Sequence, residues 1–237
     1  MDYSINKKWY KKWWAIILFI FLFLLAMIFL LVFIYIIREI KNYKNPNLEN
    51  INNLENQVVY YINNQNQYSH PEGNNNLNFS IGTSTPKLTI VEFSSFSCPK
   101  SKNSFTKIRQ LGLKYKNDVK IIFRHYPTDE NSFLLSQVSY CSGEQGLFWP
   151  MHDKLFQNQN NFYNEEINNF AKQIGLDMNL FSKCMEVNKY EDEIKNDMID
   201  AERLDIKGTP TWFFNGRKVS GDISLEMMES IIVSLIK

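Results

Sequence analysis

The sequence predicts an α/β fold that carries an inserted helical domain and is preceded by one N-terminal apolar helix. Four observations support this. Residues 13–37 form an uninterrupted apolar run, WWAIILFIFLFLLAMIFLLVFIYII. Strand-like runs at Leu88–Phe93 and Val119–Arg124 flank a helix-patterned segment, a βαβ unit whose crossover makes the two strands parallel. From Thr128 to Lys207 the pattern is wholly helical and too long for a crossover. Asn215-Gly216 then gives a hairpin signal between Thr211–Phe214 and Arg217–Ser220.

Taken as a helix at ~1.5 Å per residue, residues 13–37 reach ~37 Å. That exceeds the ~30 Å hydrocarbon core, so the run spans a bilayer with some tilt. A cleaved signal peptide has a shorter apolar core of ~7–15 residues ending at a small-residue site. Here Arg38, Glu39, Ile40 and Lys41 follow instead, which favours an uncleaved anchor. Trp9, Tyr10, Trp13 and Trp14 suit the interfacial belt. Lys7, Lys8, Lys11 and Lys12 precede the span, and Arg38, Lys41 and Lys44 follow it closely. The balance favours a short cytoplasmic tail over residues 1–12.

Residues 38–80 read as a polar linker rich in asparagine, with Pro46 and Pro71 inside it. Ile51, Leu54, Val58 and Tyr61 recur at spacings of three and four. They fit an amphipathic helix or a short coiled-coil seam, so a homodimer stays open. With 26 basic and 25 acidic residues scattered along the chain, the net charge of +1 offers no footprint for nucleic acid. Three cysteines are too few for a disulfide scaffold, and no His/Cys cluster has metal-ligand spacing, so neither a metal nor another cofactor is expected.

The folded part is expected over residues 81–237, with the helical insertion at about 128–207. Leu88, Ile90, Val91 and Phe93 make a buried strand, which Ser94–Ser97 break. Pro99 suits the first position of a helix, because its missing N–H would have no intrahelical partner there. The helix continues through Phe105, Ile108 and Leu111. The inserted helices are marked by Phe133, Leu134 and Val138; by Leu147 to Leu155; by Ile167, Phe170 and Ile174; by Leu180 to Met185; and by Tyr190, Ile194, Met198 and Ala201. Ser224–Ile236 closes the fold as a helix.

This reading puts Cys98 at or near a helix N-cap. Unpaired N–H groups and the positive end of the helix dipole favour an anion there, and Lys100 adds a cation, so a thiolate is stabilised over a thiol. A lone cysteine is otherwise a small buried hydrophobe. His125 and His152 show no acid or metal companion in the sequence and are expected to be structural, and Trp149 and Phe156 are expected in the core of the insertion.

A strand followed by Phe96-Ser97-Cys98-Pro99-Lys100-Ser101 at a helix start resembles the F-x-C-P-x-C segment of DsbA-like thioredoxin-fold thiol-disulfide oxidoreductases. Gly208-Thr209-Pro210-Thr211-Trp212-Phe213-Phe214-Asn215-Gly216 is similar to the family's G-T-P-T-x-x-x-N-G segment. The resemblance runs from about Ile81 to the C-terminus and implies a thioredoxin fold with a helical insertion. It implies that Cys98 is the nucleophile, that Pro210 is cis and faces the sulfur, and that Thr209, with Pro99 and Lys100, lines the client groove. Glu92 matches the family's buried carboxylate, able to move a proton to or from a thiol; an outward-facing edge residue is the alternative. Some members of that family carry an extra structural disulfide in places comparable to Cys141 and Cys184, so a structural bond is expected here against two buried free thiols.

The sequence departs from the family at Ser101, which replaces the resolving cysteine. The Ser101 hydroxyl can donate to the thiolate but cannot form a disulfide, so an enzyme-client adduct waits for an outside thiol. The expected protein is an extracytoplasmic oxidoreductase or isomerase-like enzyme, single-pass in a bacterial-type cell membrane, that works on client cysteines through one sulfur. Its redox partner would be an external thiol or a membrane protein. The alternative is a module that captures cysteines or unfolded segments without turnover.

Overall fold

A computed structural model of the chain describes residues 9–42, 56–57, 79–159 and 164–237. The coiled-coil seam expected at Ile51, Leu54, Val58 and Tyr61 and most of the expected linker lie outside the described residues. The chain divides into two units, one holding the apolar helix and the other everything from the first strand onward. In the first, α1 (Trp9–Asn42) runs past the apolar stretch at both ends. Its described side chains from Trp13 to Glu39 are all exposed, and Ile16–Glu39 is long and apolar enough to cross a membrane.

The second unit is built on a five-stranded sheet with strand order β1-β3-β2-β4-β5. β2 (Leu88–Ser94) and β3 (Val119–His125) are parallel in register, Leu88 opposite Val119 and Ser94 opposite His125. Their crossover is α2 (Pro99–Lys114). β4 (Thr211–Phe214) lies antiparallel on β2, and β5 (Arg217–Ser220) antiparallel on β4. At the hairpin, Asn215 (φ 47°) and Gly216 (φ 81°) both take the positive φ that a type I′ turn requires. The Asn215 side chain accepts from the Thr89 N–H at 2.8 Å, which pins the turn to β2.

An edge strand that the sequence reading does not assign, β1 (Ser80–Gly82), pairs antiparallel with β3. Just before it, the Phe79 ring stacks on Phe148 with centroids 4.0 Å apart, and the Phe79 carbonyl accepts from the Phe123 N–H at 3.1 Å. Gly143 makes room for this ring: a Cβ there would stand 2.1 Å from it.

Between β3 and β4 lie α3 (Glu130–Gly143), α4 (Phe148–Gln157), α5 (Asn164–Gln173), α6 (Met178–Glu186) and α7 (Glu191–Arg203), and α8 (Leu225–Ile236) closes the unit. α3 starts with a capping box in which the Asp129 carboxylate accepts from the Ser132 N–H and the Ser132 hydroxyl accepts from the Asp129 N–H. Alternation along the strands divides the sheet between two cores. Leu88, Ile90, Val119, Ile121, Trp212 and Phe214 pack under α2 and α8, while Val91, Phe93, Ile122 and Phe213 meet Ala201, Leu204 and Ile206 at the end of α7. The insertion has its own core, which takes in Phe96, Phe105 and Phe123. Phe156 is buried there, and Trp149 is partly exposed, with Arg109 stacked 5.1 Å from its ring centre.

The histidine reading needs one correction. His152 does have an acid partner, since its Nδ1 lies 2.9 Å from Oδ1 of the adjacent Asp153, a carboxylate that Arg109 also engages. Neighbours in helix sequence do not ordinarily face each other, which hid the pair. His125 is buried with Nε2 3.3 Å from the Ser139 hydroxyl. Burial, the nearby His152 and Arg124 hold its pKa well below the usual histidine value.

Candidate active site

β2 ends at Ser94, and the turn from Ser95 to Ser97 carries the chain to the start of α2. Cys98 is the N-cap of that helix, with extended backbone (φ −84°, ψ 120°), and Pro99 occupies the first helical turn. The Cys98 N–H donates to the Ser95 carbonyl at 3.1 Å, and the Cys98 carbonyl accepts the first helical bond from Lys102. Cys98 is partly exposed and is the one unpaired cysteine of the three.

The loop between α7 and β4 faces the sulfur. Thr209-Pro210 is a cis peptide, and Sγ of Cys98 donates to the Thr209 carbonyl at 3.2 Å. Thr209 and Ser101 are buried, whereas Pro99 and Lys100 are exposed. Residues 98–101, 209 and 210 thus come together at one end of the sheet. The Thr209 carbonyl, in the residue expected to line the client groove, is thus engaged by the thiol. Ionisation or disulfide formation takes the hydrogen of that bond away and frees the carbonyl.

Partial burial pushes the Cys98 thiol up. Hydrogen bonding by Thr209, by the Ser101 N–H and hydroxyl and by the Lys100 N–H to the ionised sulfur outweighs it, so the pKa lies below the ordinary thiol value. In the thiol state the buried Ser101 hydroxyl has no hydrogen-bond partner. It is a donor held in reserve for the anion.

Glu92 lies on β2, in register with Trp212 and Phe123, on the side of the sheet that α2 covers. It is 1% exposed, and neither carboxylate oxygen has a hydrogen-bond partner. Desolvation raises its pKa to about 8 against a weaker opposing effect of Ser94, so the carboxyl keeps its proton to higher pH than an ordinary glutamate. Cys141 on α3 and Cys184 on α6 stand apart from this site, their sulfurs bonded at 2.00 Å. Among the described residues, no cluster of three or more His, Cys, Asp or Glu side chains could hold a metal ion.

Several groups around the Cys98 turn escape the sequence reading. The Ser95 hydroxyl lies 3.3 Å from that of Thr128, and the Ser97 hydroxyl donates to Asp129 at 3.1 Å. From the end of α4, the buried Gln159 amide donates to the carbonyls of Phe96 (2.8 Å) and Cys98 (3.0 Å). Behind the turn, Arg124 on β3 pairs with Asp197 and Asp200 of α7, and Asp197 also accepts from the His125 N–H and the Tyr140 hydroxyl. Asp197 shares the buried face of α7 with Ile194 and Ala201, which is a signal the sequence does contain.

Comparison with known proteins agrees with this geometry. The thioredoxin family model matches residues 74–233. The Na(+)/H(+) antiporter NhaA 3 of Salinispora tropica is 29% identical over 150 residues; these make up 62% of this chain and 23% of the antiporter, so the match spans about a quarter of that relative's length. A thioredoxin-like oxidoreductase from Silicibacter pomeroyi superposes with a TM-score of 0.64 at 20% identity, covering 70% of this chain and 96% of its own. The thiol-disulfide exchange protein alpha-DsbA2 from Wolbachia pipientis superposes with a TM-score of 0.65 at 21% identity, covering 76% and 97%. With the family matched along two thirds of its length and the DsbA-like thiol-disulfide oxidoreductase fold shared with solved structures, the chain belongs to the thioredoxin family.

Proposed function

We propose that the protein is a membrane-anchored thiol-disulfide exchange protein that acts outside the cytoplasm on cysteines of client proteins through Cys98 alone. The observation that carries this reading is the N-cap sulfur of Cys98 facing the Thr209-Pro210 loop, with the serine Ser101 one helical turn on. The Cys98 thiolate attacks one sulfur of a client disulfide. The new bond joins Cys98 to that sulfur, and the other client sulfur leaves as a thiolate. No electrons are gained or lost in the exchange. A second thiolate, from the client itself or from an outside thiol, then attacks the adduct and Cys98 leaves as thiolate. The first route isomerises a client; the second leaves it in a mixed disulfide with the outside thiol, from which a further outside thiolate releases the reduced client as the two outside thiols become a disulfide. Glu92 exchanges the proton that separates thiol from thiolate.

Residues 13–37 serve in this reading as the anchor and 38–80 as the tether, with the folded domain in an oxidising compartment where disulfides persist. Turnover of a scrambled-disulfide client in the presence of a small thiol tests the chemistry. It is expected in the intact protein and lost in Cys98→Ser; equal turnover in both would refute it. Membrane fractionation with accessibility labelling tests the placement, and a soluble chain beginning near Lys41 would overturn it.

A further inference from the structure

The turn that presents Cys98 is held by the helical insertion. The Phe96 ring packs between Phe123 and Phe156, Ser95 meets Thr128, and Ser97 donates to Asp129. Gln159 differs from these contacts because its single amide nitrogen spans two backbone carbonyls, one on each side of Ser97. It is 6% exposed, so water does not compete freely for those bonds. The Cys98 carbonyl it holds is also the acceptor of the first α2 hydrogen bond, from the Lys102 N–H at 3.1 Å.

We propose that Gln159 is a positioning residue for Cys98, a two-point clamp through which the insertion fixes the catalytic turn and aims the sulfur at the start of α2. The carbonyls of residues 96 and 98 bracket the turn. Holding both from one nitrogen fixes the Phe96–Ser97 and Cys98–Pro99 peptide planes, which bracket Ser97 and Cys98, and with them the angle at which the Cys98 side chain leaves the backbone. The donors that favour the anion, the N–H groups of Lys100 and Ser101 and the hydroxyls of Ser101 and Thr209, serve it only from that angle. The charged and titratable groups around the turn are Lys100 and Lys102 on α2, Asp129 at the start of α3, Glu92 on β2, and His125 and His152 in the aromatic core. Gln159→Met keeps all of them and much of the side-chain volume, and removes only the amide.

The inference rests on Cys98 being the nucleophile, and the test separates the two. Hydrogen-deuterium exchange over residues 95–102 reads the turn itself, and the pH profile of Cys98 alkylation reads the sulfur, in wild type, Gln159→Met and Gln159→Glu. Exchange in the turn should quicken in both variants. The alkylation rate below the midpoint should fall about threefold to tenfold in Gln159→Met, as the thiolate fraction drops with a rise of ~0.5–1 pH unit. Gln159→Glu should show the larger loss, because a carboxylate cannot donate to two carbonyls and adds a like charge near the thiolate. Unchanged exchange in the turn overturns the proposal. So does a looser turn with an unaltered alkylation profile, which would reduce Gln159 to a structural tie. A wild-type midpoint at the ordinary thiol value of ~8.5 defeats the nucleophile reading instead, on wild type alone, and this inference with it.

Discussion

Arg124 and Asp197 form an ion pair with Nε 2.6 Å from Oδ1 and both side chains 1% exposed. The pair fastens β3 to α7, the helix that leads directly into the Thr209-Pro210 loop. Asp197→Ala would leave a buried guanidinium short of its partner and would strip the acceptor from the His125 N–H and the Tyr140 hydroxyl. Such a break is expected to destabilise the domain by about 3–5 kcal/mol in denaturant unfolding. A loss under ~1 kcal/mol would mean that the network adds little to stability.

Glu92 gives the folded protein a pH dependence of known sign. Its folded pKa of about 8 lies above its unfolded value near 4.5, so its contribution is fully present below pH 4.5 and is lost as pH rises toward 8. Glu92→Gln should therefore raise stability at pH 7 by roughly 1–3 kcal/mol and flatten the profile between those limits. The measurement is a series of urea melts from pH 4 to 9. Parallel wild-type and variant profiles would show that the carboxyl has the same pKa in the folded and unfolded states.

Ser101→Cys should restore a C-x-x-C centre. Client adducts on Cys98, trapped by acid quench and seen as mixed disulfides, should then become shorter-lived, because an internal thiol attacks at high effective concentration. If wild type traps no more client than Ser101→Cys, resolution does not depend on the missing thiol.

Cys141 and Cys184 close a loop with a sequence separation of 43. The paired Cys141→Ser, Cys184→Ser variant should lose about 2–4 kcal/mol of stability on the loop-entropy account, with Cys98 alkylation unchanged because the bond lies away from the site. Mass mapping without reductant should recover the linked peptides; two freely alkylated thiols would rule the bond out.

The parts of this fold that are legible in the sequence are those written in short-range pattern. The strand at Leu88, the Cys98-Pro99 helix start, the Asn215-Gly216 turn and the helical stripe Tyr190, Ile194, Met198, Ala201 each fit within a few residues. The illegible parts join distant positions. Gln159 sits 61 residues from the Cys98 carbonyl it holds, and a glutamine after a helix carries no mark of its target. β1, only three residues long, is defined by its partner β3 and by the slot that Gly143 leaves for Phe79, not by any pattern of its own. Asp197 is the intermediate case. Its position between Ile194 and Ala201 marks it as buried, and only the fold shows that Arg124 waits there.

The direction of β1 fixes which pole of the sheet its first residue occupies. Ser80 lies opposite Ile122 and Gly82 opposite Lys120, so the path from Gly82 back to Phe79 climbs toward the His125 end of β3. β2 runs the same way as β3 and finishes opposite His125, with Cys98 four residues farther on. Phe79 therefore lies at the same pole of the sheet as Cys98. The Phe79 carbonyl, which takes the Phe123 N–H, and the Phe79 ring, stacked on Phe148, fasten the start of β1 there, at the pole opposite the Asn215-Gly216 turn.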